Sequence, residues 1–313
     1  MEIILALAGV AVLSALVGSG GGSDGGDEGP EAPAGEGPPA TGTGTAASEE
    51  LTGTFFDDVI YARGGDDTVS GDVGNDYLDG NSGNDEVYGE IGDDSLYGGD
   101  GNDTLGGGTG EDFLRGGDGD DELRGGADND TLEGASNADF LEGDGGNDVL
   151  KGGPGKDYLI GNLGDDSMEG GPGDDTLVGV TGDFTSVPAS DGEGADTLEG
   201  WEGADTIVLG TGDEAWGEFA TTRADGAADT FVSGTWVGDP APVVHDYDPT
   251  ADVLVLYYDP AVTLDATVTA TPFDIAGDVT WEIRLGGQLL MLVEAGSAGY
   301  TIDPDDIVRR TAD

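Results

Sequence analysis

Between residues 52 and 178 one apolar side chain returns every nine positions, at Ile60, Val69, Leu78, Val87, Leu96 and onward in step to Met168 and Leu177. The residues between are almost all glycine or polar. Two places before each apolar residue stands an aspartate, fourteen in succession from Asp58 to Asp175, and five places before each aspartate stands a glycine, with Ala62 the one exception. A period of nine matches neither the 3.6 of a helix face nor the 2.0 of a single strand, and so predicts a solenoid. A unit such as GGDGNDTLG (98–106) divides into six turn residues and a three-residue strand. The glycines supply left-handed backbone angles for the turn, and the lone leucine points inward. Successive triplets then stack as parallel strands of two facing sheets, with two units per coil. Each coil of 18 residues touches only its neighbours. The expected fold class is all-β, a parallel β-roll followed by a β-rich C-terminal cap domain.

Outside the array the texture changes. Residues 3–17 form an apolar run preceded by Glu2, read as a signal sequence or an N-terminal membrane anchor over 1–17. Residues 18–51 are rich in Gly, Pro, Ser, Thr and acids, which predicts a flexible, disordered linker. The array is expected to run over 52–210. Its register breaks after Leu177, where Phe184 takes an aspartate position and an insertion occupies about 180–191, and resumes at Asp196/Leu198 and Asp205/Ile207. Beyond 210, alternating apolar and polar residues predict strands at 229–237, 252–258, 262–271, 279–285 and 288–293, the last two joined at Gly286-Gly287. The stretch TIDPDDIV is read as a short helical turn or loop. Residues 211–313 are expected to form the separate cap domain.

Charge narrows the functional classes. The chain carries 67 acids against 9 bases, a formal net charge of −58. Such a surface repels nucleic acid, and it repels itself unless cations are bound. There is no cysteine and one histidine, His245, so neither a disulfide nor a zinc site of several histidines is available. HExxH does not occur, and the GxSxG match GGSDG at 21–25 lies in the Gly-rich linker with no strand before it or helix after it, so neither common hydrolytic arrangement is supported. His245 reads as an ordinary strand residue, and Trp201, Trp216, Trp236 and Trp281 as packing residues. A secreted hydrolase with its site within 211–313 is the alternative to a non-enzymatic reading.

One apolar residue in nine buries too little surface to offset the ordering of so many glycines, and carboxylates stacked at each turn oppose the fold further. Calcium reverses that balance. It takes six to eight oxygens from carboxylates and backbone carbonyls in tolerant geometry, where magnesium demands a small octahedral shell. Binding energy then becomes folding energy. The candidate ligands are Asp58, Asp67, Asp76, Asp85, Asp94, Asp103, Asp112, Asp121, Asp130, Asp139, Asp148, Asp157, Asp166, Asp175, Asp196 and Asp205.

At these residues the sequence resembles a family. GGDGNDTLG at 98, GGDGDDELR at 116, GGPGKDYLI at 152 and GGPGDDTLV at 170 are similar to the G-G-x-G-x-D-x-U-x nonapeptide of RTX, or hemolysin-type, calcium-binding proteins. The resemblance implies a β-roll with ions held between like turns of adjacent coils, about a dozen in all. Departures occur at Asp128 and Asn137, which replace a turn glycine, and in the first unit, GTFFDD. It further implies an extracellular location, secreted or surface-attached, with type I secretion machinery as a partner. Asp305, Asp306, Ile307 and Val308 resemble a terminal export motif. The implied role is a structural, adhesive or surface module. A cytolysin is a minor alternative, because a linker stands where such toxins carry a membrane-active region.

Overall fold

The computed structural model of the chain describes residues 41–179 and 195–210, and from 212 to 311 a series of strands and short segments. The expectations for 1–17, for most of the linker and for the insertion lie outside the described residues.

Every described element is a strand, and strands alternate between two sheets. Thr41–Thr43, Val59–Tyr61, Tyr77–Ser82 and Ser95–Asp100 open one; Glu50–Thr52, Thr68–Val73, Glu86–Ile91 and Thr104–Thr109 open the other. Neighbours within a sheet are parallel and offset by one coil. Leu123 thus lies between Leu105 and Leu141, and Leu132 between Leu114 and Leu150. The periodic apolar residues from Ile60 to Leu177 line a single narrow core and are at most 1% exposed. The expected parallel β-roll is what the chain forms.

The unit divides differently from the six-plus-three expectation. From Thr68 to Leu163 most strands are six residues long and continue through the glycines, as in Thr104–Thr109 and Glu122–Ala127. Parallel neighbours stay paired there, Gly126 with Gly108 and Ala127 with Thr109. Glycine backbones of adjacent coils match as well as any other, so pairing runs to the corner, and only about three residues bend.

Two boundaries move. The strand Thr41–Thr43 and most of Glu50–Thr52 fall within 18–51, expected to be disordered linker, yet they pair with Val59–Tyr61 and Thr68–Ser70. Toward the other end, both sheets pass residue 210 without interruption. Glu214–Trp216 and Val243–His245 extend one sheet, and Thr230–Gly234 and Val253–Tyr258 extend the other. The reason is visible in sequence terms, because Asp213-Glu-Ala215, Asp229-Thr-Phe231 and Asp252-Val-Leu254 keep the Asp-x-apolar triplet while their turns lengthen. Ala215, Phe231 and Leu254 occupy core positions. A change of architecture comes only at Val268–Ile275, Asp278–Leu285 and Gln288–Ala295, an antiparallel meander whose last strand pairs with Val243–Val244. The other sheet ends on Val308–Thr311, which begins at the last residue of the stretch read as a turn or loop.

Candidate metal centre

The corner of each coil ends on its aspartate, and the aspartates of like corners form two ladders. The amide N–H of each donates to Oδ1 of the aspartate one coil later: Asp94 to Asp112 at 2.8 Å, Asp103 to Asp121 at 2.8 Å, Asp121 to Asp139 at 2.9 Å. One ladder runs Asp58, Asp76, Asp94, Asp112, Asp130, Asp148, Asp166, Asp196, Asp213. The other runs Asp67, Asp85, Asp103, Asp121, Asp139, Asp157, Asp175, Asp205, Asp229, Asp252. All sixteen predicted residues lie in these rows. Asp213, Asp229 and Asp252 join them at irregular spacings of 17, 24 and 23 residues, which a search at a fixed period of nine passes over.

The ladder residues from Asp58 to Asp229 are at most 3% exposed. Their Oδ1 atoms are satisfied. Oδ2 is buried without a hydrogen-bond partner in Asp67 through Asp175 at every step, and in Asp196 and Asp205. A carboxylate oxygen in that state costs several kcal/mol unless a proton or cation neutralises it. Asp58 differs, since Thr54 N–H donates to its Oδ2 at 2.5 Å, a consequence of the altered first turn.

The glycine five places before each aspartate lies directly against that aspartate's carboxylate. A Cβ on Gly107 would sit within 3.0 Å of both Asp112 Oδ2 and the carbonyl oxygen of Gly125 in the next coil. Gly89 sees Asp94 and Gly107 in the same way, and Gly98 sees Asp103 and Gly116. Two electron-rich oxygens thus pack over one glycine Cα, closer than any side chain there would allow. Among the described residues no three acidic or imidazole side chains converge on a point. Backbone carbonyls and water are the donors that would complete a shell, a set that suits calcium. When bound, the ion supplies the positive charge that neutralises facing oxygens of adjacent coils.

Left-handed angles fall four and two places before most of the aspartates, as at Gly99 (φ 122°) and Gly101 (φ 132°) in the unit that carries Asp103. Asp128 and Asn137 hold the second of these at φ 77° each, and short polar side chains are the non-glycine residues that tolerate it. The ladder bonds to Asp130 and Asp139 are accordingly kept. A second ladder, not anticipated, runs outside the first. Asn84 Oδ1 accepts from Asn102 N–H, Asn102 Oδ1 from Asp120 N–H, and Asp120 Oδ1 from Ala138 N–H, at 2.9–3.1 Å. Its sense is opposite, each side chain reaching forward to the next coil, and its sequence signal is the Asn or Asp that precedes the repeat aspartate.

His245 ends the strand Val243–His245. Its ring stacks on Trp216 at 4.3 Å, and Nδ1 lies 2.9 Å from Glu294 Oε2. Trp281 is buried in the core; Trp236 lies outside the described residues.

Burial pushes the ladder carboxyls from Asp67 through Asp205 up, against the lowering effect of the amide each accepts from. Asp112 and Asp121 rise to about 6, Asp94 and Asp103 to about 7, and Asp130, Asp139 and Asp205 to about 8. Asp196 rises to about 9, through burial and then the charge of Asp213. Unfolded aspartates titrate near 3.8, so the folded metal-free chain binds more protons between pH ~4 and ~8. Its stability is therefore greatest below the unfolded value and is lost as pH rises through 6 to 8. In chelator the chain is expected to contract as pH falls from 8 toward 5, read as a smaller hydrodynamic radius. With calcium present, fewer ions are expected to be bound per folded chain as pH falls over the same range, because protons compete for the same oxygens, while the calcium needed for folding falls. Contraction in chelator on raising the pH would contradict the burial of these carboxyls.

Stacked glycine corners with buried aspartate ladders define the class, a calcium-binding parallel β-roll. The RTX calcium-binding nonapeptide repeat model matches residues 43–78, 71–105, 79–114, 106–141, 142–177 and 189–213, together just over half of the chain. The chain belongs to this family, and calcium is its cofactor. A search of curated proteins finds no match to the chain.

Proposed function

We propose that this chain is an extracellular structural module, secreted or held at a cell surface, that folds where calcium is abundant and there serves as an adhesive or spacing element. The ligands are the sixteen repeat aspartates together with Asp213, Asp229 and Asp252, each ion lying between like corners of adjacent coils. The observation that carries this reading is the pair of buried rows of Oδ2 atoms facing glycine carbonyls, an arrangement whose stability depends on a cation. Location follows from that dependence. A chain of net charge −58 stays extended at low cytosolic calcium, a state suited to passage through type I secretion machinery, and folds at the higher calcium outside. RTX repeats typically occur in secreted proteins, which supports the same placement. The N-terminal domain arrangement read from sequence, an apolar segment 1–17 and a tether, would hold the roll away from a membrane. Its role is one of shape and binding rather than turnover.

Protease added to intact source cells tests the placement. The expected result is a chain that resists cleavage in millimolar calcium and is degraded within minutes once a chelator is added. A chain untouched in both conditions, but cut after lysis, would place it inside the cell.

A further inference from the structure

The aspartate corners leave the outer faces of the two sheets without a role, and one place on them is concave. Outward residues of paired strands stand in columns. One column contains Tyr88, Gly106, Arg124 and Glu142, and beside it stand Glu90, Gly108 and Gly126. Among the described six-residue strands, Thr104–Thr109 alone has glycine at both of these outward positions. The missing side chains leave a notch of about 190 Å³, floored by Gly106 and Gly108, with Tyr88 and Glu90 on one side and Arg124 and Gly126 on the other. A Cβ on Gly106 would meet the Tyr88 ring at 3.2 and 3.6 Å and, its own chain neighbours aside, no other atom within 4 Å. Beyond that ring the space over Gly106 is open.

The polar wall is held in place. Arg124 Nη2 lies 2.6 Å from Glu122 Oε1, and Nε donates to Glu142 Oε2 at 3.1 Å. Glu142 in turn accepts from Asn162 Nδ2 at 3.1 Å. A guanidinium carries five donors in one plane, more than these two contacts use. On the facing wall the Tyr88 hydroxyl donates to Glu86 Oε2 at 3.5 Å, which leaves the ring face along the notch.

We propose that this notch binds one pyranose ring of a neutral glycan. The inference deepens the adhesive reading given above by naming what the surface grips. A pyranose presents an apolar face of C–H groups and a rim of neighbouring hydroxyls. The Tyr88 ring suits the face. Arg124 as donor and Glu90 as acceptor suit the rim, and hydrogen bonds to charged groups are the stronger kind. An anionic ligand fits poorly, because Glu122 and Glu142 already balance Arg124 and the net charge of −58 opposes it. A cationic ligand would lie against the guanidinium. The volume is below the ~300–1,000 Å³ of sites for drug-sized molecules, which limits the occupant to a single ring.

Saturation-transfer NMR of the full chain in millimolar calcium tests this. The probes are the methyl glycosides of glucose, galactose, mannose and N-acetylglucosamine. At least one is expected to bind with a Kd of roughly 1–10 mM, with saturation strongest on one face of the ring. Gly106→Val fills the notch from an outward strand position, away from the aspartate corners. It is expected to abolish binding while the melting temperature stays within about 3 °C. Tyr88→Ala should weaken binding by roughly tenfold or more, and Tyr88→Phe should keep it within about threefold. No transfer to any of the four glycosides, or unchanged binding by Gly106→Val and Tyr88→Ala, overturns the site. Either result leaves the calcium-held roll and its placement outside the cell standing, since chelator and protease test those separately.

Discussion

Replacing Asp121 by alanine is expected to lower the melting temperature at saturating calcium by roughly 5–10 °C, while Asp58→Ala lowers it by no more than about 3 °C. The ladder explains the difference. Asp121 Oδ1 accepts the buried N–H of Asp103, and its own N–H donates to Asp139. Without the carboxylate, that buried N–H loses its acceptor at a cost of about 1–3 kcal/mol, and the ions on either side lose a charged ligand. In a coil array stability depends on nearest-neighbour interfaces, so a fault in the middle weakens two of them. Each kcal/mol moves the melting point of a domain this size by about 2–4 °C. Asp58 lies near the N-terminal end of the ladder, and its carboxylate is engaged by Thr54 rather than by a preceding ladder aspartate. Differential scanning calorimetry of both variants decides the matter. Equal losses would contradict the stacked-coil account.

The second large effect is expected from a methyl group. Gly107→Ala places its Cβ within 3.0 Å of Asp112 Oδ2 and the Gly125 carbonyl, so both oxygens must shift away from the positions at which they would hold an ion. Overpacking of this kind costs about 1–3 kcal/mol before the lost ligand field is counted. Fewer bound ions are expected, with a melting temperature lower by roughly 5–10 °C. The neighbouring Gly106→Ala supplies the contrast. Its Cβ would point outward and meet only the Tyr88 ring, at 3.2 Å, a side chain free to swing away. That variant is expected to melt within about 2 °C of the unaltered chain, or slightly above it, since alanine reduces the freedom of the unfolded state. Two adjacent glycines with opposite outcomes would be measured by the same melting curves and by equilibrium dialysis. Similar losses from both would mean that the Asp112 carboxylate packed on Gly107 is not an ion ligand.

The nine-residue beat made the core and the ladders legible, because a solenoid writes its contacts into the sequence at a fixed spacing. Leu105, Leu123 and Leu141 stack as their period requires, and so do Asp103, Asp121 and Asp139. What escaped was whatever keeps the triplet but not the period. Asp213, Asp229 and Asp252 carry the same Asp-x-apolar signature on turns of other lengths, and the sheets follow the triplet rather than the spacing. A strand needs only inward apolar residues and free backbone edges, while the loop between coils can vary at little cost. The same reasoning explains Thr41–Thr43 and Glu50–Thr52. Their composition is that of a tether, yet the exposed edge of the first regular coil offers backbone partners, and Leu51 supplies an inward side chain. The unpartnered Oδ2 atoms and their packing over the glycines belong to three-dimensional structure and no spacing rule shows them.

The most direct test of the central claim, that calcium holds this fold together, is far-UV circular dichroism of the full chain at neutral pH during a calcium titration, with magnesium as the control. The predicted result is little ordered structure in chelator, a cooperative rise of strand signal at roughly 0.1–1 mM calcium, and no such rise with magnesium. A chain already rich in strand signal in chelator, or one that remains disordered in millimolar calcium, would contradict it.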